Sequence, residues 1–178
     1  MRLIPKYCFF TTGVGKGKEK LISFEDALRK AGIAAYNLVK VSSILPPNCE
    51  IISKEKGLER LIPGQILYCV LAENSTNEPY RLISASIGAA IPKDKSKYGY
   101  LSEYHDFGVT NSKAGEYAEK LAVQMLLTGW GIPFNENDYD KKKICEKHRI
   151  ITKNITQSAI GDKGGLWTTV IVAAALLV

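Results

Sequence analysis

Runs of apolar residues, broken by glycine, proline and polar clusters, divide the chain into strands and two clear helices. Residues 6–12 hold Tyr7, Cys8, Phe9 and Phe10 and read as a first strand. The following Gly13-Val14-Gly15-Lys16-Gly17-Lys18 reads as a flexible turn. Its spacing fits neither G-x-x-x-x-G-K-[ST] nor G-x-G-x-x-G, which argues against a phosphate loop. Ser23 with Asp26 three residues on is a capping-box variant. The helix it predicts runs to about residue 30, with Phe24, Ala27, Leu28 and Ala31 on one face and Gly32 as its stop. Leu38, Val39 and Val41 predict a buried strand that ends at Ser42-Ser43, because Pro46-Pro47 cannot continue it.

Residues 50–52 read as a short strand, 55–60 as a helical turn, and Pro63-Gly64 as a turn. A strand over 65–72 and a polar loop over 73–79 follow. In the strand at 80–91, Ser84, Ser86 and Gly88 alternate with apolar neighbours, leaving a small-residue face for another sheet or a ligand. Another strand covers 98–104. Asn111-Ser112 caps the longest helix, to about 127, with Ala114, Ala118, Leu121, Ala122 and Met125 at helical spacing. Gly129-Trp130-Gly131 ends it; 133–147 shows no pattern, and 149–156 and 166–178 close the chain as strands. The periodicity therefore predicts one α/β domain of mainly antiparallel strands and two helices over residues 1–178, without repeat or linker.

Composition narrows the function classes. A hydrophobic fraction of 46% with 24% charged residues is that of a folded globular domain. The net charge of +6 permits attraction to nucleic acid or anionic membrane, but the lysines are scattered and lack interleaved aromatics, so neither partner is expected. Cys8, Cys49, Cys69 and Cys145 form no C-x-x-C pair, which argues against a zinc or redox site. The apolar tail 170–178 falls far short of the roughly 20 residues that span a bilayer. Residues 1–6 have no long apolar core, so a leader is not expected and the cytoplasm is the default location. With only His105 and His148, and no G-x-S-x-G elbow, a serine hydrolase is set aside.

The chemistry centres on Ser42-Ser43. A hydroxyl on the C-terminal side of a firmly held peptide can attack the carbonyl before it, converting amide to ester. Elimination then gives dehydroalanine at 43, and hydrolysis gives a pyruvoyl group. The competing reading is an ordinary Ser-Ser at a strand end, and the residues alone favour it.

Longer blocks change that balance. Phe24-Glu25-Asp26-Ala27-Leu28, Ala31-Gly32-Ile33 and Asn37-Leu38-Val39-Lys40-Val41-Ser42-Ser43-Ile44-Leu45-Pro46-Pro47 resemble the pyruvoyl-dependent arginine decarboxylases. So do Ile87-Gly88-Ala89-Ala90-Ile91-Pro92-Lys93-Asp94, Gly99-Tyr100-Leu101-Ser102-Glu103-Tyr104 and Gly165-Leu166-Trp167-Thr168-Thr169-Val170, in family order along nearly the whole chain.

The resemblance implies a layered αββα sandwich and a homo-oligomer, a trimer or a multiple, of protomers cleaved into 1–42 and 43–178. It implies conversion of L-arginine to agmatine and carbon dioxide, a reaction that commonly feeds polyamine synthesis. A pyruvoyl group from Ser43, forming a Schiff base with the substrate, would be the cofactor, with neither metal nor pyridoxal phosphate. Glu103 matches the family's proton donor and Asn37 its active-site asparagine, while Ser42 would end the small subunit. Glu25 stands where the family has an aspartate that meets the guanidinium. Its extra methylene leaves room for another amino acid as substrate. Leu21 and Leu28 match positions along the substrate's apolar stem, and Ala34 stands in place of a family glycine, a replacement that tightens the pocket. An uncleaved, non-enzymatic assembly partner is the remaining alternative. Each assignment has a plainer competitor: acids in a first helical turn suit the dipole, and an Asn before a strand suits a turn.

Overall fold

The apolar C-terminal run becomes the middle of the molecule. In a computed structural model, which describes residues 3–178, Trp167–Leu177 forms β9, the central strand of a five-stranded sheet ordered β2-β5-β9-β1-β4. Met1 and Arg2, the first of the six residues in which no leader is expected, lie outside the described residues. Both faces of β9 are covered, which explains the loss of alternation. Val170, Val172, Ala174 and Leu176 enter the core between two sheets, while Ile171, Ala173, Ala175 and Leu177 enter a second core under a helix. A run that alternated in polarity could not have occupied this place.

β1 (Tyr7–Gly17) and β5 (Ile66–Thr76) flank β9 antiparallel, and the short β2 (Asn37–Lys40) and β4 (Glu50–Ile51) pair parallel at the two edges. The second sheet has the order β3-β7-β6-β8, all antiparallel: Ile44–Leu45, Gly99–Phe107, Leu82–Pro92 and Ile150–Ile160. Helix α1 (Lys20–Ala31) covers the first sheet, and α3 (Asn111–Gly129) covers the second. The layers are α, β, β, α, as the resemblance implies, in one domain. Two short helices, α2 (Lys54–Leu58) and α4 (Lys141–His148), bring the helices among the described residues to four, where periodicity predicted two. Among the described residues no helix is long and apolar enough to cross a membrane.

Several local expectations fail for tertiary reasons. The glycine run 13–17 is strand, because a Cβ on Gly13 would fall on the Ala27 carbonyl oxygen and one on Gly15 on that of Ser23. Those glycines exist so that α1 can lie against the sheet. Helix α1 starts at Lys20, and Ser23 is no cap: it is buried, donates to the Lys20 carbonyl at 2.8 Å and meets the Thr169 hydroxyl at 2.7 Å. Its stop is as expected, with Gly32 in the left-handed region at φ 81°. The small face of β6 admits α3: Gly88 lies under Ala118, and Ser102 on β7 donates to the Ala118 carbonyl at 2.6 Å.

The polar loop expected at 73–79 is strand as far as Thr76, since pairing with β9 continues through Thr76↔Thr168. Asn74 is buried there and donates to the Asp106 carbonyl at 2.9 Å, a tie between the sheets. Helix α4 leaves no periodic signal in the sequence because it has no apolar stripe. Asp140 caps it by accepting the Lys143 N–H at 3.1 Å, and Lys141 reaches the buried Glu119 at 2.7 Å. The strand at 37–41, expected to be buried, is an edge strand whose Asn37, Val39 and Lys40 are exposed.

Candidate active site

Strand β2 runs parallel to β5 in register from Asn37↔Ile66 to Lys40↔Cys69. The Val41 N–H donates to the Cys69 carbonyl at 3.0 Å, and there the chain leaves the first sheet. By Ile44 it has joined the second, as β3, with Ile44↔Tyr100 and Leu45↔Gly99. Ser42-Ser43 is therefore the step between the two sheets. Ser42 is exposed and Ser43 half-buried.

The step is tightly tied. The Ile44 N–H donates to the Ser42 carbonyl at 3.0 Å, closing a three-residue turn centred on Ser43. The Leu101 N–H of β7 donates to the Ser43 carbonyl at 2.7 Å. Leu45 buries its side chain in the core between the sheets, and the Cys49 N–H donates to the Pro46 carbonyl at 3.2 Å in the turn made by the prolines. Each carbonyl flanking the Ser43 amide unit thus has a backbone donor. A groove of about 320 Å³ beside the turn is lined by Val41, Ser42, Ile44, Pro46 and Tyr68.

Glu103 lies two residues beyond Leu101 on the same face of β7, about 7 Å along the strand. It reaches toward the edge of β5 that β2 has just vacated. There its carboxylate faces the Leu71 N–H, with Lys40, Glu73 and His105 close enough to act on its charge. One flank meets solvent, but the flank against the sheets loses hydration, and this desolvation is the largest cause of a pKa above the ordinary carboxylate value. Glu73 adds to the rise, while Lys40, the Leu71 N–H and His105 oppose it.

The other sequence-predicted residues are spread. Asn37 sits at the far end of β2, six residues and about 20 Å of extended chain from Ser43, and its amide donates to the Gly64 carbonyl at 2.8 Å. One chain does not bring the two together. On α1, Leu21, Glu25 and Leu28 share a face. Leu21 is 73% exposed, Leu28 is buried in the core beneath the helix with Ala34 against it, and Glu25 pairs with Arg29 at 3.3 Å. Leu21 opens on a cavity of about 710 Å³ that also takes in Phe24, Glu73, His105 and Phe107. That cavity joins the α1 end of the predicted site to the β7 strand that carries Glu103.

Two charged residues of the cluster escaped the sequence reading. Lys40 and Glu73 meet at 3.4 Å across β2 and β5. In the sequence Lys40 is one residue of the strand before the serines, and Glu73 reads as loop. Only the register Lys40↔Cys69 puts them on one face. Among the described residues no group of three or more His, Cys, Asp or Glu is arranged to hold a metal ion.

Comparison with known proteins agrees with the blocks. The family described as pyruvoyl-dependent arginine decarboxylase matches residues 7–178. A protein of Chloroherpeton thalassium named as a probable pyruvoyl-dependent arginine decarboxylase is 56% identical, over 99% of this chain and 100% of its own length. Proteins of Nitrosopumilus maritimus and Methanococcoides burtonii, named as pyruvoyl-dependent arginine decarboxylases, are each 51% identical. They cover 99% and 96% of this chain, and 98% and 97% of their own lengths.

Proposed function

Because the chain belongs to the pyruvoyl-dependent arginine decarboxylase family, we propose that it cuts its own Ser42–Ser43 bond and then converts L-arginine to agmatine and carbon dioxide. The observation that carries this reading is the turn at the step between the sheets. The Ile44 N–H on the Ser42 carbonyl draws electrons from the carbon under attack and is aimed to hold the oxyanion that forms. The Leu101 N–H fixes the far side of Ser43, so nucleophile and electrophile stay neighbours on a clamped residue pair. The Ser43 hydroxyl adds, the C–N bond breaks, and an ester replaces the amide. Elimination releases the Ser42 carboxylate as the end of residues 1–42. Loss of ammonia by hydrolysis leaves a ketone at the head of residues 43–178.

These residues suit a pyruvoyl group at 43. A serine stands there, half-buried, with its own carbonyl hydrogen-bonded and a groove alongside. Such a group supplies the electron sink that decarboxylation of an amino acid needs. Glu103, whose raised pKa keeps it protonated closer to neutral pH, returns a proton to the substrate's α-carbon. Glu25 receives the guanidinium, which takes the place of Arg29 at the carboxylate. Leu21 flanks the aliphatic stem, and Leu28 and Ala34 back it from the core beneath α1.

Asn37 acts on a neighbouring copy. Its distance from Ser43 along β2, together with the exposed edge of that strand, supports an oligomer of cleaved protomers in which each site is completed across an interface, a trimer or a multiple by the family resemblance. Four unpaired cysteines suit a reducing cytoplasm.

Denaturing electrophoresis with mass measurement tests the first step: two fragments split at 42/43 are expected, and one intact band from Ser43→Ala. An intact wild-type chain that still evolves carbon dioxide overturns the mechanism. Glu25, longer by one methylene than the family's acid and already paired with Arg29, also favours a second reading in which another amino acid is the substrate. A substrate panel separates the two: arginine leads in the first reading, and Glu25→Ala raises its KM in particular.

A further inference from the structure

Three strands bring one ammonium and two carboxylates to the edge of β5 that β2 leaves. Lys40 ends β2, Glu73 lies on β5 and Glu103 on β7. Lys40 Nζ stands 3.4 Å from Glu73 Oε2, in a pair whose side chains are 54% and 46% exposed. The same ammonium acts on Glu103, which meets the β5 edge two residues before Glu73, at the Leu71 N–H. The side chains pair the ammonium with Glu73, while it stays close enough to Glu103 to act on its charge.

That assignment matters for a proton donor. A carboxylate given an ammonium partner ionises and stops donating. We propose that Glu73 is a positioning residue that draws Lys40 away from Glu103, so that Glu103 keeps its proton for the substrate. Neither Lys40 nor Glu73 needs to touch the reacting atoms. The inference rests on Glu103 being the donor, and adds to that reading the pair that governs it.

The charged surroundings are few. Lys40 faces Glu103 from β2, Glu73 and Cys69 from β5, and His105 from two residues further along β7. The Cys69 thiol is pushed up to about 11, first by burial, and stays neutral at working pH. His105 opposes the rise at Glu103 and lines the cavity shared with Glu73. Lys40 is therefore the fixed cation of the group and Glu73 its competing anion.

Removing Glu73 leaves Lys40 to Glu103, and removing both restores the isolated donor. In Glu73→Gln the alkaline limb of the kcat profile moves to lower pH, with a several-fold loss of kcat at neutral pH and little change in KM. Lys40→Met moves the limb the other way. The double variant Lys40→Met with Glu73→Gln recovers the loss, which a purely structural role of Glu73 would not produce. Carbon-13 NMR of the Glu103 carboxyl in uncleaved Ser43→Ala protein gives a second readout, free of turnover. Its titration midpoint falls in Glu73→Gln and rises in Lys40→Met. Unmoved midpoints, or a double variant no better than Glu73→Gln, overturn the proposal. Glu103→Gln separates the two ideas: full activity there removes the donor reading and the positioning role with it, while the NMR midpoints still report the coupling itself.

Discussion

The turn at Ser42–Ser43 can be tested by deleting a single hydrogen. Replacing Ile44 by its α-hydroxy analogue turns the 43–44 amide into an ester and removes the N–H that donates to the Ser42 carbonyl at 3.0 Å. The side chain, its register opposite Tyr100 and the burial of Leu45 are retained. In the precursor that N–H contributes about 1 kcal/mol, as an ordinary hydrogen bond does. As the Ser43 hydroxyl adds, charge accumulates on the Ser42 oxygen, and a preorganised donor gains strength. Loss of one such donor costs roughly 10²–10³ in rate, or about 3–4 kcal/mol. That loss is measured from the formed precursor, so it is the slowing of cleavage expected after folding. Refolding from denaturant, followed by denaturing gels over time, reads it directly, with Ile44→Val as the control expected at the wild-type rate. Ile44→Pro removes the same donor genetically and also biases Ser43 toward extended backbone, so it slows cleavage at least as much. An ester variant that matures as fast as wild type refutes the role given to Ile44.

Other expectations follow from the packing. Gly15→Ala places a methyl on the Ser23 carbonyl under α1, so thermal or denaturant unfolding should show a loss of at least about 1–3 kcal/mol. Ile171→Ala, in the fully buried layer beneath α1, should cost about 2–5 kcal/mol by the same measurement. Lys141→Met leaves the 7%-exposed Glu119 carboxylate with Asn154 but without its ammonium, at a cost of about 1–2 kcal/mol given the half-exposed lysine. The pH dependence of that loss has a definite sign. Burial raises the Glu119 pKa, but hydrogen bonds from Lys141, Asn154 and Thr152 outweigh it and the net shift is down. Its stabilisation is therefore present above the unfolded carboxylate value and disappears as pH falls through the folded one, so wild type and Lys141→Met should converge in stability in acid.

The local order of residues settled a good deal alone. The wholly apolar run at the C-terminus has no polar face to give to water, so it had to be covered on both sides, and as β9 it is. Gly32 and Gly129-Trp130-Gly131 end their helices through backbone conformation, which neighbours alone decide. Pro46-Pro47 fixes where the chain must turn after the serines. The tertiary structure decided the rest, because contacts between distant segments override local preference. Gly13 and Gly15 are as suited to a turn as to a strand until α1 is laid across them. Glu73 reads as loop until β9 extends past it as a pairing partner. The serines are a strand end in the sequence and a bridge between two sheets in the fold. Asn37 is near Ser43 in number yet remote along β2, and Glu103 is remote in number yet lies two residues from Leu101, where β7 meets Ser43. Sequence order names the residues of such a site, while strand register alone decides which of them meet.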